Sequence, residues 1–150
     1  MRIGLISDTH GLLRPQALAA LQGSQRIVHA GDIGDPRILD ALAAIAPVTA
    51  VRGNNDRGAW ADALAETELL VLEGVQVLVI HDVKALADAH GAQVVIAGHS
   101  HQPTLERRDG VLFVNPGSAG PRRFKLPVCV GRLIVDKGHV EAEVIPLTVS

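Results

Sequence analysis

The chain has 150 residues, with 47% hydrophobic and 20% charged residues, a balance typical of one globular domain and not of a disordered protein. Its formal charge of −2, with one tryptophan and two phenylalanines, excludes a strongly basic or base-stacking surface, so no nucleic-acid polymer is expected as a partner. The absence of a signal peptide pattern and of an apolar run near the roughly 20 residues of a membrane helix predicts a cytoplasmic protein with no membrane partner.

The first third of the chain alternates short apolar runs with helical patterns. We predict strands at residues 3–6, 26–29 and 48–51, with helices at residues 15–21 and 36–45 between them. Pro15 and Pro36 suit the first turns of those helices. This alternation favours βαβ units with parallel strands, and because no repeat or linker divides the sequence, we predict a single domain over residues 1–150.

The rest of the chain is richer in strands. After a polar stretch at residues 60–67, a hairpin is predicted at Glu73-Gly74, followed by a helix at residues 83–90. The tight-turn pairs Asp109-Gly110 and Lys137-Gly138 predict an antiparallel end to the chain. The predicted strands of this part lie at residues 69–72, 75–80, 93–97, 105–108, 111–115, 128–136 and 140–145. The sequence thus predicts an α/β protein in which two packed mixed β-sheets, a β-sandwich, are flanked by α-helices.

Residues that can bind metal follow five of the predicted strands. Ligands gather beyond the carboxyl ends of strands in open α/β sheets, so these residues are expected to meet. Most of these loops would be weak evidence alone, since Gly31-Asp32 and Gly53-Asn54 also suit simple turns. His99-Ser100-His101 is the stronger signal, because two imidazoles directly after a buried strand are unusual in a plain turn. The candidate ligands are Asp8, His10, Asp32, Asn54, His81, His99 and His101.

The same blocks resemble a known family, the calcineurin-like metallophosphoesterases, and within it the small single-domain bacterial and archaeal phosphodiesterases. The resemblance covers nearly the whole chain. It is carried by the blocks Ser7-Asp8-Thr9-His10-Gly11, Ala30-Gly31-Asp32, Arg52-Gly53-Asn54-Asn55-Asp56, Gly98-His99-Ser100-His101 and Asn115-Pro116-Gly117-Ser118. It implies the metallophosphoesterase fold and hydrolysis of a small phosphoester, with diesters as the first candidates, by a hydroxide that bridges two metal ions.

The resemblance also implies a division of the ligands between two divalent ions. Asp8, His10, Asp32 and His101 would hold the first ion, and Asp32, Asn54, His81 and His99 the second. Imidazole and carboxylate ligands favour transition metals, so manganese is expected, with iron, nickel and zinc as alternatives. With two carboxylates and one hydroxide, such a centre keeps about one positive charge, which matches a diester monoanion.

One position departs from the family pattern. Many members have histidine directly after the metal-binding asparagine, where it is thought to protonate the leaving oxygen, but here that residue is Asn55. An amide cannot deliver a proton at neutral pH. We assign catalytic roles to Asn54, Asn55, Asp56 and His99, with Asp56 as the residue that would orient an acid at position 55. The departure keeps a second function open, a catalytically weak scaffold for protein interaction, which another member of the superfamily exemplifies.

The remaining polar residues carry less weight in the prediction. His29 is expected to support the site or the core, and Asn115 and Ser118 to shape a turn. Solvated loops are the preferred interpretation of Arg57, Arg122 and Arg123, with contact to substrate phosphate as the alternative. A nuclease would need capping elements or a basic groove, and neither is visible. Related small enzymes are often oligomeric, so a homo-oligomer stays open although no interface stripe supports one.

Overall fold

The first of two β-sheets contains both the N-terminal and the C-terminal strands. The computed structural model describes residues 1–149. The strands of this sheet are β1 (Arg2–Ile6), β2 (Arg26–His29), β3 (Val48–Ala50), β9 (Cys129–Asp136) and β10 (His139–Pro146). Their order is β10-β9-β1-β2-β3, in which β1, β2 and β3 are parallel and β9 is antiparallel to both its neighbours. The carboxyl ends of β1, β2 and β3 therefore lie at one edge.

The second sheet is formed by the middle of the chain. Its strands are β4 (Thr67–Leu72), β5 (Val75–Ile80), β6 (Val94–Ile96), β7 (Thr104–Arg108) and β8 (Val111–Asn115). Their order is β4-β5-β6-β8-β7, with β5, β6 and β8 parallel and an antiparallel strand at each edge. The two sheets pack face to face over a core in which Leu5, Val28, Val79 and Ile96 are fully buried.

Three helices, α1 (Pro15–Leu21), α2 (Pro36–Ala43) and α3 (Ala59–Asp62), belong to the first sheet's side of the molecule. Asp35 caps α2 by accepting a hydrogen bond from the backbone nitrogen of Arg37, a common way to satisfy a free helix N–H. Gly4 favours close packing of α1 on β1, because a Cβ atom there would lie 2.7 Å from Leu21 Cδ2 and the leucine would have to shift. In the described part of the chain, no helix is long and apolar enough to cross a membrane.

The predicted fold class is confirmed, and so are its three tight turns. Glu73-Gly74, Asp109-Gly110 and Lys137-Gly138 join antiparallel strands, and both residues of each pair have positive φ. Two residues of positive φ are the mark of the type I′ turn, whose twist matches that of the strands.

Two details of the predicted elements were wrong, and one short element was not predicted. The predicted helix at residues 83–90 is a short 3-10 helix, Val83–Ala85, followed by irregular chain whose apolar side chains pack on the second sheet. A segment this short has little helical stability of its own, so sheet packing decides its conformation. The C-terminal part of the chain was predicted to be antiparallel, but its strand β8 pairs parallel with β6. No element was predicted where the four-residue helix α3 lies, because residues 60–67 were noted only as a polar stretch.

Candidate metal centre

The seven candidate ligands meet at the carboxyl ends of parallel strands in the two sheets, where the sheets face each other. Asp8 and His10 follow β1, Asp32 follows β2, and Asn54 follows β3. His81 follows β5, and His99 and His101 follow β6. Ligand atoms of Asp8, His10 and His101 lie within 4.8 Å of one another, and so do those of Asp32, His81 and His99. The fold therefore assembles two adjacent groups of three.

Asp8 is anchored through one oxygen and presents the other to the histidines. Its Oδ2 accepts hydrogen bonds from Ser7 Oγ at 2.7 Å and from the backbone nitrogen of His99 at 3.0 Å. Its Oδ1 lies 3.4 Å from Nε2 of His101 and 3.7 Å from Nε2 of His10. Among residues 1–149 no hydrogen-bond donor reaches this buried Oδ1. A buried carboxylate oxygen left free in this way is suited to a cation.

Asp32 stands between the two groups. Its Oδ2 lies 3.3 Å from Nε2 of His81, in its own group, and 3.6 Å from Nε2 of His10, in the other. Asn55 holds this carboxylate from the side: its backbone nitrogen donates to Oδ1 at 2.9 Å and its side-chain nitrogen to Oδ2 at 3.1 Å. This position is the one that a carboxylate shared by two ions requires.

The orientation of His81 is set by its contact with the first sheet. Its Nδ1 lies 2.7 Å from the carbonyl oxygen of Ala30, so Nδ1–H donates there and Nε2 carries the lone pair. Nε2 is buried and, within the described residues, receives no hydrogen bond. A ring nitrogen bonded to a carbonyl with the other one free is the usual state of a metal-binding histidine.

The other ligands extend the two groups towards solvent. Asn54 Oδ1 lies 3.2 Å from Nδ1 of His99, which brings the asparagine to the second group. The His99 side chain is 43% exposed, and its Nε2 lies 3.8 Å from Oδ2 of Asp82. In the first group, the rings of His10 and His101 stack with centroids 5.2 Å apart. The second group is thus the more accessible one.

The backbone at the site is strained. Among residues 1–149, ten non-glycine residues have positive φ, and half of them are candidate ligands: Asp8, His10, Asp32, His99 and His101. Such conformations are uncommon and are retained mainly where the surrounding structure forces them, often at functional sites. Glycines also permit close approach, since a Cβ atom at Gly98 would lie 2.6 Å from Asp8 Oδ2 and one at Gly53 would lie 2.2 Å from Asp32 Oδ1. The strained backbone at these positions brings the ligand side chains into the site.

The two buried carboxylates of the centre are ionised and have no lysine or arginine beside them in the described residues. Burial raises the pKa of Asp8 and of Asp32, but the neighbouring imidazoles of His10 and His81 respectively, with other contacts, hold both pKa values below the usual value. The contact with Asp8 raises the pKa of His10, whereas burial lowers that of His101. In the part of the chain that the structure describes, neither carboxylate forms an ion pair with lysine or arginine.

Metal ions fit this arrangement. Two almost fully buried carboxylates are costly without compensating cations. The free atoms, Asp8 Oδ1 and His81 Nε2, point to the same centre from different sheets. Imidazole nitrogen with carboxylate oxygen is a donor set that transition metals accept, whereas calcium and magnesium favour oxygen alone.

Two further polar residues support the loops that carry ligands. His29 is fully buried; its Nδ1 accepts from the backbone nitrogen of Gly31, and its Nε2 donates to Thr9 Oγ1. Burial lowers the pKa of His29 to about 3, so the ring is neutral. Asp56 is also buried, and its two oxygens accept from the backbone nitrogens of Gly34 and Gly53. It therefore ties the loop after β2 to the loop after β3.

The last residue of β8 and the turn after it also fix the loops of the site, in keeping with the turn predicted there. Asn115 accepts from the backbone nitrogen of Gly117 and donates to the carbonyl oxygen of Gly98, which fixes the loop of His99 and His101. Ser118 Oγ donates to the carbonyl oxygen of Asp8. Arg57, Arg122 and Arg123 are exposed, and the charge of Arg123 contributes to the lowered pKa of His101.

Two residues that contact the candidate ligands were given no role in the sequence analysis. Asp82 lies beside His99, and Ser7 anchors Asp8. The signal for Asp82 was its place directly after His81, at the end of a strand that carries a ligand. Ser7 gave no signal of its own, because a serine next to an aspartate is common.

Comparisons with known proteins agree with this geometry. The model of the calcineurin-like phosphoesterase superfamily domain matches residues 1–138. A probable metallophosphoesterase of Methanothermobacter thermautotrophicus is 35% identical over 97% of this chain and 92% of its own length. A phosphodiesterase of Methanocaldococcus jannaschii is 27% identical over 78% of this chain and 83% of its own length.

A solved structure shares the fold at low sequence identity. Vps29 of Chaetomium thermophilum has a TM-score of 0.80 at 18% identity, with 99% of this chain and all of that chain covered. At this identity the likeness concerns the fold. The family match and the identity to the archaeal metallophosphoesterase go further, and they confirm the resemblance predicted from the motifs. The chain belongs to the calcineurin-like phosphoesterase superfamily.

Proposed function

We propose that this protein hydrolyses a small phosphodiester at a centre of two divalent metal ions, with manganese as the first candidate. The observation that carries the proposal is the position of Asp32 Oδ2 between His10 and His81, beside two buried ligand atoms that receive no hydrogen bond among residues 1–149. Asp8, His10, Asp32 and His101 would hold one ion, and Asp32, Asn54, His81 and His99 the other. Bound there, the ions would activate a water molecule as nucleophile and stabilise the charge of the phosphoryl group.

We assign the polar side chains around the ligands the role of holding and orienting those ligands and their loops. Ser7, the hydroxyl beside Asp8, is fully buried and donates to that carboxylate, so we assign it the role of holding Asp8 in place. Asn55 is occupied with Asp32 and cannot act as an acid. Asp56 is bonded to two backbone amides, so we assign it a positioning role in place of direct catalysis. Diesters are favoured because the centre keeps about one positive charge, and because one relative is named a phosphodiesterase.

An assay on chelator-stripped protein tests this function. We expect hydrolysis of bis(p-nitrophenyl) phosphate to be restored by Mn²⁺ and to be lost in Asp32→Asn. Asp40→Asn, an exposed carboxylate on α2, is the matched control and should retain full activity. Equal rates before and after stripping, or full activity of Asp32→Asn, would exclude the metal mechanism.

A protein-interaction scaffold is the second candidate function. It is favoured by Leu69 and Val71 on the edge strand β4, whose side chains are 50% and 65% exposed. Single exposed apolar residues are ordinary, and the complete ligand set argues for catalysis. Metal binding without hydrolysis of any diester tested would favour the scaffold.

A further inference from the structure

A cavity of about 210 Å³ lies beside the candidate metal centre, on the outer face of the second sheet. Its lining includes Val83, Lys84, Val95, Arg108 and Phe113, and His99 with Ser100 forms its end nearest the centre. The short 3-10 helix Val83–Ala85, at the start of the segment predicted to be helical, supplies one wall.

Apolar side chains on the outer face of the second sheet form part of the lining of this cavity. Phe113 projects from β8 on the face opposite the core and is paired across the sheet with Val95 of β6. Arg108 on β7 covers the ring, with its guanidinium carbon 4.3 Å from the ring centroid. An aromatic ring beside a guanidinium plane is a surface on which another planar group can stack.

The cavity adjoins the metal centre at His99. This residue belongs to the second ligand group and also lines the cavity, as does its neighbour Asp82. A phosphoryl group at the centre would therefore lie close enough for one of its organic groups to enter this cavity. The volume is below the roughly 300–1,000 Å³ of pockets that enclose a whole drug-sized ligand, and it suits a single ring system.

We propose that this cavity binds the organic group of the phosphoester, and that the group is a planar ring, aryl or nucleobase. The inference rests on the proposed function for the location of the phosphoryl group. It deepens that function, because it makes the Phe113 ring and the Arg108 guanidinium determinants of substrate class.

The first test observes binding on metal-free protein by NMR. The probes are phenyl phosphate and adenosine 5′-monophosphate, with methyl phosphate as the ringless control. Because the chain has only two phenylalanines, Phe124→Leu leaves Phe113 as the one phenylalanine ring, and Phe124 is 91% exposed. We expect nuclear Overhauser contacts between Phe113 and the ring protons of one or both ring probes, and the stronger probe identifies the kind of ring. Contacts from neither probe, or contacts only with Trp60, would overturn the assignment.

The second test uses inhibition of diester hydrolysis, with Arg107 and Arg108 as a matched pair. The two arginines are neighbours on β7 but face opposite ways, since Arg107 donates to the carbonyl oxygen of Val140. The inhibition constant of methyl phosphate divided by that of phenyl phosphate measures the preference for a ring. We expect this ratio to fall about five- to tenfold in Phe113→Val and to fall also in Arg108→Ala, but to stay within twofold in Arg107→Ala.

The outcomes separate this inference from the proposed function. If diesters are hydrolysed and the ratio is the same in all variants, the cavity assignment fails and the function stands. If ring probes contact Phe113 but no diester is hydrolysed with any metal, the function fails and the cavity still binds a ring. The NMR measurement keeps the cavity assignment testable even if Phe113→Val does not fold.

Discussion

The side-chain amide of Asn55 donates to Asp32 Oδ2, the carboxylate oxygen that lies between the two groups of ligands. The same residue also donates its backbone N–H to Asp32 Oδ1, so both oxygens of this carboxylate are held by one residue. Charge-assisted hydrogen bonds of this kind give geometric precision as well as stability. Asn55 therefore orients a ligand at the position where the family resemblance would imply an acid.

This relationship predicts a steep dependence on the leaving group. With no acid at position 55, the leaving oxygen departs without help from that residue, so nitrophenyl esters should react and alkyl esters should be slow. Asn55→His should supply general-acid catalysis, worth about 10² to 10⁴ when well placed. We expect it to speed alkyl substrates more than nitrophenyl ones across a series of diesters with graded leaving groups. An equal change across the series would show that position 55 does not face the leaving oxygen.

A preference for diesters follows from the charge of the proposed centre. A monoester dianion gains more attraction than a diester monoanion but is less electrophilic, so binding and chemistry oppose each other. We expect kcat/KM for an aryl diester to equal or exceed that for the matched monoester under saturating metal. A monoester preference above about tenfold would contradict this charge assignment.

Asp56 provides a prediction about stability. Asp56→Ala removes the acceptor for two backbone N–H groups, one of them the buried nitrogen of Gly53. We expect the free energy of unfolding to fall by about 2 to 3 kcal/mol, measured in urea with the fluorescence of Trp60. Asp40→Ala, at an exposed position, should change it by less than about 0.5 kcal/mol. Equal stability of the two variants would mean that the Asp56 bonds do not hold the loops.

The neutral state of His29 predicts a pH dependence of stability. The pKa of His29 is about 3 in the folded protein and about 6.5 in an unfolded chain. Between these values the unfolded state binds a proton that the native state does not, so stability is full above pH 6.5 and falls as the pH decreases towards 3. From pH 6.5 to pH 4 the loss of unfolding free energy due to His29 should be about 3 kcal/mol.

The variant His29→Gln isolates this contribution, because the other titrating groups of the metal-free protein are the same in both chains. We expect the variant to lose less stability than the wild type over this pH interval, whatever its stability at pH 7. Parallel pH profiles of the two proteins would show that His29 is not buried as a neutral ring.

The sequence predicted the parts of the fold that local chemistry decides. The turn pairs such as Glu73-Gly74 have a backbone preference of their own, and the apolar runs are long enough to specify strands. The segment after Val83 could not be predicted in the same way, because its conformation depends on the sheet beneath it. The parallel pairing of β8 with β6 joins strands separated by a hairpin arm, which no local pattern reveals.

In the candidate site, too, some features could be predicted from the sequence and others could not. The types and spacing of its ligands were readable because metal-binding residues after successive strands form a recognisable set. The contact of Asn55 with Asp32, the clamp made by Asp56 and the place of Asp82 beside His99 each join loops that are distant in sequence or oriented by strained backbone. Those contacts depend on side-chain orientation, which only the three-dimensional structure shows.

The most direct test of the central claim is calorimetric titration of chelator-stripped protein with Mn²⁺, in the wild type, Asp32→Asn and Asp40→Asn. Asp32 is the one ligand assigned to both ions, so its substitution should weaken both binding events, whereas loss of a ligand to one ion would weaken one. We predict two bound ions per chain for the wild type and Asp40→Asn, and weakened binding at both positions in Asp32→Asn, with loss of more than about 100-fold in diesterase rate. Binding of a single ion by the wild type, or unchanged binding of two ions by Asp32→Asn, would contradict the shared-carboxylate centre.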